Sequence, residues 1–241
     1  MSNADLRVVI TGAGREMGRS LAIRYAQSGA EVLLSARDLD AAQNVCNELQ
    51  SLGYTRVNAF HCDLSDPATI RAFAQSVENK FGRVDVLINN ASPWLEGKAL
   101  DAASDEDMIN VILSCTAGTA LMIKHFLPLL RQSSRPDIVN IVSSSAHPLT
   151  HDCEGHAAFY AAKAGQGRLA ETLSLRLREE GIRVISLYPP KFNNSDPLLD
   201  GAQISRTSQD QLTSESLIDC IQFAVNMPRD CFIRRFDFES V

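Results

Sequence analysis

An apolar run of strand length, Val8-Val9-Ile10, breaks at Thr11-Gly12-Ala13-Gly14-Arg15-Glu16-Met17-Gly18. A stretch of helical period carrying Leu21, Ile23 and Tyr25 follows. A strand that feeds a tight turn into a helix leaves backbone N–H groups and the positive helix end aimed at one spot, which suits a phosphate. Small residues in such a turn let a ligand approach the backbone closely. Read alone, the stretch fits a plain strand–helix connection as well, so its meaning depends on the rest of the chain.

The same alternation continues to the end. Strand signals at Val8–Ile10, Glu31–Ser35, Val57–His61, Val84–Ile88, Ile138–Val142, Ile182–Leu187 and Cys231–Phe236 are separated by helix signals. The helices are expected at Met17–Ser28, Leu39–Leu52, Pro67–Phe81, Ser104–Leu130, Ala157–Glu180 and Ser214–Asn226. Gly29, Gly53, Gly82 and Gly181 stand where helices should stop, and Asp66-Pro67 where one should start. Alternating elements imply an α/β fold, a doubly wound, about seven-stranded parallel sheet covered on both faces. Ligands of such sheets bind beyond the carboxyl ends of the strands. No linker or repeat divides the 241 residues, so one Rossmann-like domain is expected over 1–241.

Composition removes some classes of function. A net charge of −6 with no Lys/Arg cluster argues against nucleic acid, whose binding rests on neutralised phosphates. No uninterrupted apolar stretch reads as a membrane span and no signal peptide opens the chain, which points to a cytoplasmic protein without a membrane partner. The six cysteines lack a C-x-x-C pair and are expected to be reduced thiols.

Several segments together resemble the short-chain dehydrogenase/reductase family over residues 6–236. The resemblance rests on Thr11-Gly12 and Gly18 after the first strand, Asp63-Leu64 after the third and Asn89-Asn90-Ala91 after the fourth. Ser143 after the fifth strand, Lys163 on the next helix and Pro189 after the sixth strand complete it. It implies a nicotinamide-dependent oxidoreductase acting on a carbonyl or alcohol. Cofactor contacts would come from Thr11, Gly12, Gly14, Arg15, Met17, Gly18, Arg37, Asp63, Leu64, Asn89, Asn90, Ala91, Lys163 and Pro189. It also implies a homodimer or homotetramer.

The choice of cofactor has a physical argument of its own. An acid at the end of the second strand would accept the ribose hydroxyls of NAD and repel a 2′-phosphate. That slot holds Ala36, with Arg37 next and Arg15 in the first turn, and two guanidiniums suit a 2′-phosphate. NADP is therefore expected over NAD. Pairing of these arginines with Asp38 and Asp40 is the competing reading.

The family's catalytic set is a Ser that holds the substrate oxygen, a Tyr that moves the proton and a Lys that holds the nicotinamide ribose and lowers the Tyr pKa. Hydride transfer to a carbonyl develops an alkoxide, which needs an acid and a hydrogen-bond donor nearby. Here Ser143 and Lys163 fall in place, but the residue four before Lys163 is Phe159, and Tyr160 is the next one. On a regular helix Tyr160 is turned by about 100° and moved by about 1.5 Å from the Phe159 position. Residues 146–158 are longer than the corresponding family segment, which leaves room for the helix start to rewind. Three outcomes stay open: Tyr160 as a displaced acid, another group or water as the acid, or a protein with little or no reductase activity.

Other departures are Glu16 for a glycine of the phosphate turn, Ser92 for the glycine after Ala91, Cys115 for a helix asparagine and Pro190 for the glycine after Pro189. A carboxylate about 4 Å from a phosphate would cost on the order of 4 kcal/mol at an effective dielectric near 20. Residues 146–158 also hold His147, His151, Asp152, Cys153 and His156, whose spacing fits no zinc pattern. One of these histidines is a candidate proton shuttle. Residues 190–212 are expected to form a flap over a partly apolar small-molecule substrate, with Phe192, Pro197, Leu198 and Leu199 on one side and Trp94 and Leu95 on the other. A non-catalytic cofactor-binding protein and a dehydratase or isomerase on the same scaffold are the alternatives.

Overall fold

The computed structural model describes residues 5–97, 99–148, 154–198, 207 and 210–239. Seven parallel strands form one sheet: β1 (Arg7–Thr11), β2 (Glu31–Ala36), β3 (Val57–His61), β4 (Val86–Asn89), β5 (Asp137–Ile141), β6 (Arg183–Tyr188) and β7 (Arg235–Asp237). Their order is β3-β2-β1-β4-β5-β6-β7, and every neighbouring pair is parallel. The order reverses between β1 and β4, and sheets of this kind bind their ligands beyond the carboxyl ends of the strands at such a switch point.

Alternation within the strands decides which helices cover which face. Val8, Ile10, Val32 and Leu34 point to one side, where α1 (Glu16–Gln27), α2 (Leu39–Ser51) and α7 (Ser214–Asn226) bury Leu21, Ile23, Tyr25, Leu49 and Ile221. Val9, Leu33, Leu87 and Ile138 point to the other, against Phe73 of α3 (Pro67–Phe81) and Phe126 of α5 (Thr119–Leu130). Each fully buried side chain of this size contributes about 1.5–3 kcal/mol.

Element boundaries follow local chemistry. Asp66 caps α3 by accepting the Ala68 N–H at 2.8 Å, with Pro67 at the first helical position. Gly82 closes that helix in the left-handed region at φ 69°.

Three elements differ from the sequence reading. The long helix is a run from Asp105 to Leu130 in which α4 (Asp105–Ile112) and α5 flank a π turn at Leu113–Gly118. This 26-residue run is long and apolar enough to cross a membrane by those two measures. It packs instead into the domain, with Val111, Cys115, Met122, Ile123 and Phe126 buried. The helix α6 (Ala157–Arg176) ends before Glu180 and passes through a short 3-10 turn into Gly181. The last strand is confined to Arg235–Asp237, because Cys231 lies in a loop whose carbonyl receives the Arg183 guanidinium at 2.9 Å.

Candidate active site

The phosphate turn is held by a hydroxyl and an amide. Thr11 Oγ1 accepts the N–H groups of Asn90 (3.0 Å) and Ala91 (3.1 Å), which ties the end of β4 to the end of β1. The Asn90 amide nitrogen returns the tie by donating to the Thr11 carbonyl at 3.0 Å. Side chains are excluded at two positions. A Cβ on Gly18 would lie 2.1 Å from the Gly12 carbonyl oxygen, and one on Gly12 would lie 2.8 Å from the Ala91 Cβ. Gly14 serves packing against α2, since a Cβ there would meet Ala41 at 2.8 Å. Met17 buries its side chain in the core, so only its backbone faces the turn.

Glu16 adopts φ +50°, alone among the described residues other than glycine in having a positive φ. The turn therefore keeps the backbone shape a glycine would give it. The residue bears a left-handed conformation that costs roughly 1–2 kcal/mol for a side chain with a Cβ. Its carboxylate is exposed, as is Arg15 beside it. With Gly18 and Gly12 drawn in and that backbone shape retained, the corner fits a dinucleotide diphosphate.

Arg37 follows β2 and is exposed. Neither Arg15 nor Arg37 makes an ion pair among the described residues, so Asp38 and Asp40 do not occupy them there. Asp38 caps α2 instead, accepting the Asp40 N–H at 3.0 Å. Asp63 uses Oδ1 to accept the backbone and hydroxyl hydrogens of Ser65, so it shapes its own turn. Leu64 is buried where Gly118 of the π turn comes within 2.4 Å of its carbonyl, measured from the position of a Cβ. Asn89 is buried and donates to Asn140 Oδ1 at 2.9 Å across β4 and β5. The Pro189 carbonyl accepts the Ser144 N–H at 2.9 Å, joining the ends of β5 and β6. Ser143 Oγ accepts the Ser145 N–H at 3.1 Å.

Lys163 is 3% exposed. Its ammonium donates to the Ile141 carbonyl and to Gln166 Oε1, both at 3.0 Å. Burial pushes its pKa below the usual lysine value, with a nearby Cys115 acting in the opposite sense. Gln166 in turn donates to Thr119 Oγ1 at 3.2 Å. Gln166 and Thr119 escaped the sequence reading. The available signal was a glutamine one helical turn after Lys163 in a helix face made otherwise of small residues.

The start of α6 is regular. His156 caps it: Nδ1 accepts the Ala158 N–H at 3.1 Å and Nε2 faces the Leu100 carbonyl at 3.1 Å. On such a helix Phe159 takes the position one turn before Lys163. Its ring centroid lies 5.9 Å from the ammonium, and Trp94 packs edge-on against it at 4.7 Å. Tyr160 is half-buried beside Gly155. Two departures from the family pattern touch each other: Ser92 Oγ and Cys115 Sγ are 3.2 Å apart, with Cys115 fully buried next to Phe159 and Ala162.

Of the histidines, His156 is fully buried as a cap, and His147 stacks on Tyr188 and pairs with Asp237 at 3.0 Å. His151, Asp152, Cys153 and Leu199 lie outside the described residues, as does most of 199–209 in the expected flap. The described part of that segment packs inward: Phe192 and Leu198 rest on the core, and Asn193 and Ser195 bond to the start of α7.

A doubly wound sheet with a glycine corner at its switch point and a lysine beside the neighbouring strand end defines a dinucleotide-binding Rossmann protein. The chain belongs to the short-chain dehydrogenase family, whose model matches residues 7–197. It is similar to an uncharacterized oxidoreductase of Staphylococcus aureus, 27% identical over 227 residues and covering 93% of both chains. Its fold matches the crystal structure of a metagenomic short-chain oxidoreductase in complex with NADP at a TM-score of 0.81 and 26% identity, covering 98% of this chain and 97% of that one. It also matches a 3-ketoacyl-(acyl-carrier-protein) reductase from Brucella melitensis complexed with NADH, with a TM-score of 0.83, 24% identity and coverage of 98% and 97%.

Proposed function

We propose that this protein is an NADP-dependent oxidoreductase that transfers a hydride between the cofactor and a carbonyl or alcohol. The observation that carries this reading is the pairing of a drawn-in glycine corner at the end of β1 with Lys163 at the end of β5, two strands away on the same, carboxyl edge of the sheet. The guanidiniums of Arg15 and Arg37, which make no ion pair among the described residues, and the absence of an acid at Ala36 favour the 2′-phosphate of NADP. When bound, the cofactor supplies or accepts the hydride. The chain's own groups do the rest. Thr11 and Asn90 keep the corner closed, Lys163 holds the nicotinamide ribose, and Ser143 donates a hydrogen bond to the substrate oxygen. Tyr160 delivers the proton from a place one residue along the helix. Trp94, Leu95 and Phe159 form an apolar cluster on the Lys163 side of the site, which suits a partly apolar small molecule.

The second reading is a cofactor-binding protein without turnover. Phe159 favours it, since an aromatic ring with no hydroxyl stands beside the lysine. Titration with NADPH together with turnover of a carbonyl panel separates the two. Binding with turnover that Tyr160→Phe abolishes supports the first, binding without turnover supports the second, and absence of binding removes both.

The protein is proposed to act in the cytoplasm as a homodimer or homotetramer through the outer face of α4 and the start of the π turn, where Ile109, Ile112 and Leu113 are exposed. Sedimentation of Ile109→Glu/Ile112→Glu, expected to be monomeric, tests it.

A further inference from the structure

We infer that Gln166 is the positioning residue of this site: it holds the Lys163 ammonium against the end of β5 and keeps it protonated inside the domain. The inference rests on the assignment of Lys163 to the cofactor crevice for its functional meaning, but not for its geometry.

Lys163 sits on α6 with no carboxylate in contact among the described residues. A buried ammonium without a counter-ion needs acceptors for its three hydrogens, because an unpaired charge in the interior is costly. The Ile141 carbonyl takes one and Gln166 Oε1 takes a second. A carboxamide suits this place for a specific reason. Its oxygen faces the ammonium while its nitrogen donates to Thr119 Oγ1, so the oxygen is fixed toward Lys163. Gln166 is 1% exposed and Thr119 also 1%, so both are shielded from bulk solvent.

The groups that face Lys163 from the surrounding elements are few. The π turn presents Cys115, a thiol. The strand end presents the Ile141 carbonyl. Its own helix presents the Phe159 ring and Gln166, with Tyr160 next to Phe159. Gln166 is therefore the neutral side chain that supplies the oxygen a carboxylate would otherwise supply. The third ammonium hydrogen is left for the ribose of a bound dinucleotide. A leucine at 166 would fill the volume and leave the lysine one acceptor short.

The test is a titration of the protein alone. The chain has five lysines, so 15N-lysine labelling gives a short spectrum in which Lys163→Arg identifies the Nζ signal of Lys163. In Gln166→Leu the midpoint of that signal should fall by about one pH unit, since hydrogen bonds to the charged form favour it. In Gln166→Glu it should rise, the carboxylate attracting the ammonium. Thr119→Val, which frees the carboxamide, should move the midpoint the same way as Gln166→Leu by a smaller amount and covers the case in which Gln166→Leu does not fold. Midpoints unchanged in the folded variants, with only the melting temperature lowered, would overturn the inference and leave Gln166 as packing. NADPH titration of the same samples reports separately on the crevice: failure of wild type to bind refutes the assignment of Lys163 to the cofactor and leaves the midpoints to decide on Gln166.

Discussion

The Phe159 ring stands 5.9 Å from the Lys163 ammonium, one helical turn before it, on a helix whose first turn is regular from the His156 cap onward. A residue one turn before a lysine shares its face. The apolar ring therefore holds the place one turn before the charge on that face, and Tyr160 lies beside it with a ring centroid 6.3 Å away.

If Tyr160 is the acid, Tyr160→Phe removes turnover while leaving NADPH affinity within about twofold, because proton transfer contributes roughly 10²–10⁴ in rate. Phe159→Tyr should place a hydroxyl next to the lysine with no change of backbone and raise carbonyl reduction. Steady-state rates on a panel of aldehydes and ketones measure both. Turnover unchanged in Tyr160→Phe would transfer the acid role elsewhere.

Selectivity between the two nicotinamide dinucleotides should reside in Arg15 and Arg37. A charge-assisted hydrogen bond contributes about 1.5–3 kcal/mol. Arg37→Ala should therefore weaken NADPH by roughly tenfold or more and leave NADH unaffected. Equal affinities for the two dinucleotides, unaltered by the substitution, would count against NADP. Fluorescence titration at two salt concentrations adds a check, since screening weakens exposed charge pairs.

Glu16 should limit how tightly the corner grips a diphosphate. It carries a left-handed backbone at φ +50° and brings a carboxylate to the turn. Glu16→Gly should bind NADPH about tenfold more tightly, and Glu16→Gln should recover only the part owed to charge. In denaturant, Glu16→Gly should change stability by less than about 1 kcal/mol, since relief of strain opposes the entropy of an added glycine.

The sheet and its covering helices were legible because period-2 apolar runs and glycine stops are local signals, as at Val8–Ile10 and Gly82. The elements of the corner were legible through the resemblance, because Gly12, Gly18 and Asn90 stand just after the first and fourth strands, whose ends the parallel sheet brings side by side. The π turn at Leu113–Gly118 was not. It is accompanied by Thr116 bonding to the Ala162 carbonyl at 2.9 Å, a contact between residues far apart in sequence. The roles of His156 and Gln166 were hidden for the same reason. Their partners, Leu100 and Thr119, are supplied by other segments, and a residue type alone does not say whether it caps, clamps or reacts. The left-handed backbone of Glu16 runs against the preference of its own side chain, so the residue type gave no sign of it.

Stability in alkali carries the signature of Lys163. Burial lowers its pKa in the folded protein below the 10.5 of the unfolded chain. Below the folded value both states are charged and the burial cost is present in full. Between the folded value and about 10.5 the unfolded chain binds the extra proton, so this group's contribution to stability rises with pH. Each pH unit by which the two states differ is worth about 1.4 kcal/mol. Other groups titrate in the same range, but they cancel in a comparison with Lys163→Met. Urea unfolding of both proteins from pH 7 to pH 10 should therefore show wild type gaining on the variant as pH rises. A constant difference would mean that Lys163 keeps an ordinary pKa, and that its two oxygen partners offset its burial entirely.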